Sequence, residues 1–386
     1  MKIVHTEASR GWGGQEIRIL SEARGLIQRG HDVHLLCPPD SRIFEEATNS
    51  GVPVTAERIG DKSLRGLIAV RSWINKRRQE RGIDVINSHS STDSWLVALA
   101  LATLRKPMPL VRTRHISAPV PNNWTTRWLY QRATRRIVTT GESLRQTLIE
   151  NNGCDADQVI SVPTGIDLNR FRPPGGDERA AARARLGVAE ETFVIGIVAT
   201  LRSWKGHRYL LDALAMLTQR AFVRPYMLVI VGDGPQRAHL EAQVAHAGIT
   251  SWVLFTGNRG DVTELLHGFD AFALPSYANE GVPQALLQAM ACSVPVVTTS
   301  AGAIGEIARN GDTALIVPER DSDSLARALE RLAGDPTLGQ GLAISALEMV
   351  RRSHGIAKML DSMQGVFEKA TGLASTRQAE IARRII

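Results

Sequence analysis

Thr192-Phe193-Val194-Ile195-Gly196-Ile197-Val198-Ala199, running on into Thr200-Leu201-Arg202-Ser203-Trp204-Lys205-Gly206-His207, sets the reading of the whole chain. The first eight residues carry no charge and are rich in β-branched side chains, as suits a strand buried on both faces. A polar, basic turn closes it. Arg208–Gln219 then shows the apolar spacing of an amphipathic helix. Strand, turn and helix in this order form the repeating unit of a parallel sheet with crossover helices.

Working outward, the unit recurs in both directions. Downstream, Met227–Val231, Trp252–Phe255, Ala271–Leu274 and Val294–Thr298 read as strands, and beyond Pro318 only helical patterns follow, over Ser322–Ala333, Leu338–Arg351 and Ile356–Ala370. Upstream, Phe171-Arg172-Pro173-Pro174-Gly175-Gly176-Asp177 has linker composition, with a short helix over Glu178–Leu186. Before it lies a second α/β alternation. Strands are expected at Lys2–Thr6, Asp32–Cys37, Val52–Thr55, Val85–Ser88, Leu110–Thr113, Ile137–Thr140 and Val159–Val162, with a helix over Gln15–Gln28 that stops at Gly30. The fold class is therefore α/β, with two Rossmann-like domains. The expected divisions are an N-terminal domain over 1–165, a linker over 166–191, a C-terminal domain over 192–352, and helices over 353–386 that pack back on the first domain.

Bulk composition agrees. The 386 residues are 43% hydrophobic and 22% charged, which suits a soluble globular protein with two cores. No apolar run approaches the ~20 residues that span a bilayer. The first residues, Met1-Lys2-Ile3-Val4-His5, read as a buried strand rather than a signal peptide. Three scattered cysteines, Cys37, Cys154 and Cys292, fit neither a disulfide framework nor a zinc site, and a cytoplasmic location is expected. The formal charge of +7 is uneven: residues 1–170 hold 24 Lys/Arg against 17 Asp/Glu, and the remainder is balanced. Two basic clusters carry aromatics, one around Trp73 (Arg71, Lys76, Arg77, Arg78, Arg81) and one from Trp124 to Arg136. Such clusters suit either an anionic membrane surface or solvated helix faces. Nucleic acid is not an expected partner, because no recognition motif accompanies the charge.

Chemistry gathers at strand ends, where open α/β sheets bind ligands. Gly11-Trp12-Gly13-Gly14 lies between the first strand and first helix, placing close backbone and free N–H groups where phosphate or sugar can bind. In the second domain, Arg202 and Lys205 stand beside a helix N-terminus, an arrangement suited to a diphosphate. Gly232 and Gly234 follow the next strand, and Gly257, Asn258 and Arg259 end the one after. The fourth strand runs into Pro275-Ser276-Tyr277-Ala278-Asn279-Glu280-Gly281-Val282-Pro283, with Glu280 just before a helix start and Gln288 eight residues on, expected on nearly the same helical face. A carboxylate and an amide so placed can hold sugar or ribose hydroxyls.

These residues resemble the retaining GT-B glycosyltransferases of family 4 over nearly the whole chain. The matching features are Gly13-Gly14-Gln15-Glu16, Gly30-His31-Asp32-Val33, Val162-Pro163-Thr164-Gly165-Ile166-Asp167, Lys205-Gly206, Gly232-Asp233-Gly234-Pro235 and the Pro275-Ser276…Glu280-Gly281 segment. The resemblance implies two Rossmann-like domains facing across an interdomain cleft. It implies a nucleoside-diphosphate sugar as donor, with no cofactor and no metal; the family pattern does not fix the nucleotide, and UDP is expected ahead of GDP. Lys205 would clamp the diphosphate, Glu280 and Gly14 would meet the transferred sugar, and Gln288 would hold ribose. His115, at a strand's carboxyl end, would stand near the reacting centre. Gly13, Gly232, Gly234, Gly257, Asn258, Arg259, Gly281 and Val282 would line the donor site. Two positions depart from the pattern. Gln288 stands where a second glutamate is usual and keeps hydrogen bonding without charge. Thr200 stands where an arginine is usual, and Arg202 is expected to take over the phosphate role.

The implied acceptor is a lipid-linked or lipopolysaccharide-type glycan, met by a peripheral enzyme on the inner face of the cytoplasmic membrane. A soluble anionic acceptor is the alternative. Two other functions remain open. A sugar-nucleotide 2-epimerase could share the architecture and would need no acceptor. A non-catalytic protein binding anionic surfaces would show salt-dependent binding and no donor affinity.

Overall fold

The computed structural model describes residues 1–219, 224–278 and 280–373. The described residues divide into two compact units, one formed by residues 1–163 together with 357–373, the other by residues from 164 to 356.

The first unit holds a seven-stranded sheet of order β3-β2-β1-β4-β5-β6-β7. Its strands are β1 (Lys2–Thr6), β2 (Asp32–Cys37), β3 (Val54–Ala56), β4 (Val85–Ser88), β5 (Leu110–Arg114), β6 (Arg136–Thr139) and β7 (Val159–Ser161). The second holds a six-stranded sheet, β10-β9-β8-β11-β12-β13. There β8 is Phe193–Val198, β9 Tyr226–Val231, β10 Val253–Gly257, β11 Ala271–Leu274, β12 Val296–Thr298 and β13 Leu315–Ile316. Neighbouring strands pair in parallel throughout. Strand order reverses between β1 and β4 in one sheet and between β8 and β11 in the other, which are the crevices where such sheets take ligands.

The uncharged sequence of β8 is explained by burial: every residue from Phe193 to Ile197 is buried, and β4 and β11 are buried along their whole length. Gly196 is required by packing, because a Cβ there would lie 1.9 Å from the ring of Phe269. The two-residue edge strand β13 escapes sequence reading, since two apolar residues carry no periodicity.

Residues 166–191, read from composition as a linker, are built into the second unit. Phe171 and Leu186 join its core. Arg183 is buried and binds Asp270 at 3.0 Å and the carbonyl of Ala189 at 2.7 Å. A buried guanidinium needs several acceptors, and the chain turning at Gly187, the left-handed C-cap of helix Glu178–Leu186, brings the carbonyls of Ala189 and Glu190 to it.

The last described helix, Ile356–Thr371, packs on the first unit. Gly25 makes room for it, since a Cβ there would sit 2.3 Å from Leu360. Arg29 pairs with Asp361 at 2.8 Å, and Phe367 is fully buried with its ring edge-on to His5. Ile166 and Gly355 form a parallel bridge, so the two passages of the chain at the boundary of the second unit run side by side. Among the described residues no helix is long and apolar enough to cross a membrane.

Candidate functional site

At the crossover of the second sheet, the loops after β8 and β11 are locked together. Gly206 has φ +78°, and a Cβ on it would stand 2.0 Å from the carbonyl oxygen of Pro275. Tyr277 N–H donates to Trp204 O at 2.9 Å. This approach brings together two residues that the sequence placed in separate roles. Lys205 Nζ donates to both oxygens of Glu280, at 2.7 and 2.9 Å. Ser276 Oγ donates to the same carboxylate at 2.7 Å. The Glu280 side chain is only 5% exposed and that of Lys205 21%, so one face of the pair remains open to an incoming ligand. Arg202 is exposed nearby in sequence, its guanidinium 5.6 Å from the Trp204 ring centre. Helix His207–Gln219 starts directly behind this loop.

The turns after β9 and β10 complete the same edge. Gly232, at φ +133°, and Gly234 are glycines because Cβ atoms would meet Ala199 O at 2.1 Å and Leu201 O at 2.8 Å. The glycines thus hold the β9 turn against the β8 loop whatever ligand is present. Gly257 takes φ +69° and its carbonyl accepts from Gly232 N–H at 2.8 Å. Asn258 is exposed, and Arg259 is turned onto Asp261 through contacts of 2.8 and 2.6 Å. Gly281 and Val282 are buried beside Glu280. Asn279 lies outside the described residues.

One expectation needs correction. The helix here spans Gln284–Ala291 with Pro283 at its N-cap; Glu280 lies before its start, as the sequence placed it, and for that reason shares no helical face with Gln288. Proline suits the start of a helix and biases the residue before it toward extended backbone, which keeps Gly281-Val282 out of the helix. Gln288 is buried within that helix.

In the first unit, Gly13 is the N-cap and Gly14 the first residue of helix Gly14–Gln28. Two buried carboxylates flank this loop. Glu7 accepts from Ser9 N–H at 2.7 Å, and burial, with the charges of Asp93 and Glu16 behind it, raises its pKa well above the ordinary range. Burial also raises Glu16. An acidic setting of this kind suits sugar hydroxyls better than phosphate at Gly13 and Gly14.

His115 follows β5 and meets partners that sequence reasoning missed. Its Nε2 lies 2.9 Å from Nδ1 of His89, whose Nε2 lies 2.9 Å from Nδ1 of His5. These histidines come from β1, the end of β4 and the end of β5, adjacent in the sheet. The register that aligns Thr6 with Ser88 and Ser88 with Arg112 stacks them. Desolvation lowers all three, His5 to about 4 and the others well below the usual histidine value. Asp93 ties the β1 and β4 ends together, accepting from Thr6 Oγ1 at 2.7 Å and His89 N–H at 2.9 Å. Part of the basic complement is used internally: Arg112 is buried with its guanidinium 4.4 Å from the Tyr130 ring centre, and Arg77 pairs with Asp32 at 3.0 Å.

Two doubly wound parallel sheets, each gathering polar loops where strand order reverses, define a two-unit α/β protein of the Rossmann-like class. Comparison with known proteins narrows that class. Residues 12–170 match the Glycosyltransferase Family 4 domain and residues 192–335 the Glycosyl transferases group 1 domain. The D-inositol 3-phosphate glycosyltransferase of Actinosynnema mirum is 29% identical, over 88% of this chain and 88% of its own. The putative glycosyltransferase EpsF of Bacillus subtilis is 30% identical, over 60% of this chain and 61% of its own. Among solved structures, Anabaena Alr3699/HepE in complex with UDP-glucose superposes with TM-score 0.84 at 22% identity, covering 96% of this chain and 100% of that one. A Rickettsia africae glycosyltransferase gives TM-score 0.84 at 18% identity, over 96% and 98%. The chain belongs to the GT-B glycosyltransferases, pairing a family 4 domain with a group 1 domain.

Proposed function

We propose that this glycosyltransferase moves a hexose-type sugar from a nucleoside-diphosphate sugar, UDP favoured over GDP, to an acceptor hydroxyl with retention of anomeric configuration. The observation that carries the reading is the Lys205–Glu280 pair at the β8/β11 crossover. A diphosphate arriving there meets an ammonium already positioned, with Arg202 and the N-terminus of helix His207–Gln219 close in sequence to share its charge. Those groups stabilise the leaving diphosphate without a metal ion. Glu280, released from Lys205, is then free to accept sugar hydroxyls. The UDP-glucose complex of Alr3699/HepE supports UDP as the carrier.

The acceptor we favour is a lipid-linked or lipopolysaccharide-type glycan of the cell envelope, met at the inner face of the cytoplasmic membrane. Helix Leu64–Glu80 supports this, because Leu64 and Ile68 are 72% and 57% exposed beside Arg65 and Arg71. A second reading, a small soluble anionic acceptor, draws on the relatives named for D-inositol 3-phosphate. A donor screen tests the core of the proposal: UDP- and GDP-sugars are assayed for binding and slow hydrolysis with wild type and Glu280→Ala. Selective binding of one donor, with turnover lost in the variant, is expected. No affinity for any sugar nucleotide would refute the reading.

A further inference from the structure

The three histidines behind β1, β4 and β5 form a continuous file, and its inner end is a carboxylate. His5 Nδ1 meets His89 Nε2, and His89 Nδ1 meets His115 Nε2, both at 2.9 Å. Successive ring centroids are 5.2 Å apart. At the buried end, His5 Nε2 lies 4.0 Å from Oε1 of Glu22, and both side chains are fully buried. Neither that nitrogen nor either Glu22 oxygen has a hydrogen-bond partner at ordinary distance. Closing the last link takes a movement of roughly 1 Å. At the other end, Nδ1 of His115 is the ring nitrogen that the file leaves over.

A neutral imidazole carries one N–H and one bare nitrogen. In each N···N contact one ring donates and the other accepts, so three neutral rings have only two consistent arrangements. In the first, every ring is protonated on Nε2. His5 then offers its N–H to an ionised Glu22, and His115 ends in a bare Nδ1 that accepts a hydrogen bond or a proton. In the second, every ring is protonated on Nδ1. Glu22 is then the protonated acid facing the bare Nε2 of His5, and His115 ends in an Nδ1–H donor. The arrangements differ by one proton. A proton taken up at His115 Nδ1 releases the one on its Nε2 to His89, which releases one to His5, which releases one to Glu22. No imidazolium is left behind, and the charge neutralised is the distant carboxylate's.

We propose that Glu22, acting through His5 and His89, sets which nitrogen of His115 carries the proton. Glu22, His5 and His89 are positioning residues, and the bearing of His115 on sugar transfer rests on the function proposed above. The surroundings hold the carboxylate near the point of exchange. Burial raises its pKa, while the charge of Arg18, 3.9 Å away on the same helix, and the amide of Asn87 on β4 oppose the rise, leaving it at about 7. Burial, followed by the charge of Arg18, also keeps His115 neutral, so its ring is not the group that stores the proton. Packed against the file from the last helix is Phe367, which brings no charge. Thr113 Oγ1 donates to Asn87 Oδ1 at 2.9 Å, so the carbonyl end of that amide is already taken.

The test needs neither donor nor turnover, so it fails separately from the transferase reading. The full chain, labelled with 15N-histidine and 13C-glutamate, is followed by NMR from about pH 5 to about pH 9, a window around the expected exchange. The His115 nitrogens are expected to exchange protonated and bare signatures, with Nε2–H at the alkaline end and Nδ1–H at the acid end. The swap should share its midpoint with the Glu22 carboxyl carbon. In Glu22→Gln the swap should vanish and His115 should keep one tautomer throughout. The proposal is overturned if wild-type His115 keeps one tautomer across the range, forms an imidazolium instead, or swaps equally in Glu22→Gln. The wild-type titration decides the matter even if the variant does not fold.

Discussion

Replacing Lys205 by methionine separates two roles of the β8/β11 crossover. Methionine keeps most of the apolar stem and removes the ammonium that donates to both oxygens of Glu280. Breaking a fully buried ion pair from one side costs about 3–5 kcal/mol. Here the lysine is 21% exposed, so water can partly screen the loss, and Ser276 still donates to the carboxylate at 2.7 Å. A destabilisation of roughly 2–3 kcal/mol follows. The same substitution removes one charge-assisted contact to the donor diphosphate, worth about 1.5–3 kcal/mol. That corresponds to UDP binding weaker by about 10- to 150-fold. Denaturant unfolding and titration calorimetry with UDP read the two losses. Pairing Lys205→Met with Glu280→Gln removes the orphaned charge, so the double variant should regain most of the stability and remain weak for UDP. A folded Lys205→Met protein that binds UDP within twofold of wild type would refute the assignment of Lys205 to the diphosphate.

Other perturbations reach different parts of the molecule. His207 is fully buried, neither ring nitrogen has a hydrogen-bond partner, and desolvation lowers it from 6.5 to about 3. A histidine depressed in the folded state contributes stability above its unfolded pKa that is lost as pH falls. Unfolding free energy should therefore decline below about pH 6.5 by up to about 1.4 kcal/mol per pH unit from this group, and His207→Phe should flatten that part of the profile. Gly25→Ala places a Cβ 2.3 Å from Leu360 and should destabilise the first unit by about 1–3 kcal/mol, with faster hydrogen exchange in helix Ile356–Thr371. Chelation by EDTA should leave transfer rates unchanged, whereas Arg202→Met should lower them. In liposome flotation, Leu64→Ser with Ile68→Ser should reduce recovery with anionic vesicles, and equal recovery with neutral vesicles would argue against the membrane reading.

The sheets were legible because their strands are short, largely apolar runs rich in β-branched residues and bounded by turn residues. Lys2–Thr6, Asp32–Cys37, Val85–Ser88 and Ala271–Leu274 begin and end where the sequence places them. Composition misled over residues 166–191, because Pro and Gly mark a change of direction equally well in a wrapped segment and in a free one. Glu280 and Lys205 were each visible as candidate ligand contacts. Their mutual pairing was not, since 75 residues separate them and their loops meet only through folding, at the Gly206–Pro275 approach and the Tyr277–Trp204 hydrogen bond. The histidine file follows from strand order β1-β4-β5, which a sequence with no turn or register signal between distant strands does not contain. His5 reads in the sequence as part of the buried strand Lys2–Thr6, with nothing to mark it as part of a polar site.

The return of the last helix to the first unit bears on how the protein is made. Residues 164–356 form a continuous segment and can mature as soon as they leave the ribosome, but the unit begun at Met1 must wait for Leu360 and Phe367. The first unit to be synthesised is thus the last to be finished. Until then the surface around Gly25 and His5 stays uncovered, exposing apolar area of the kind that chaperones recognise in nascent chains. Completion of the first unit is in this sense postponed until translation has passed through the entire second one.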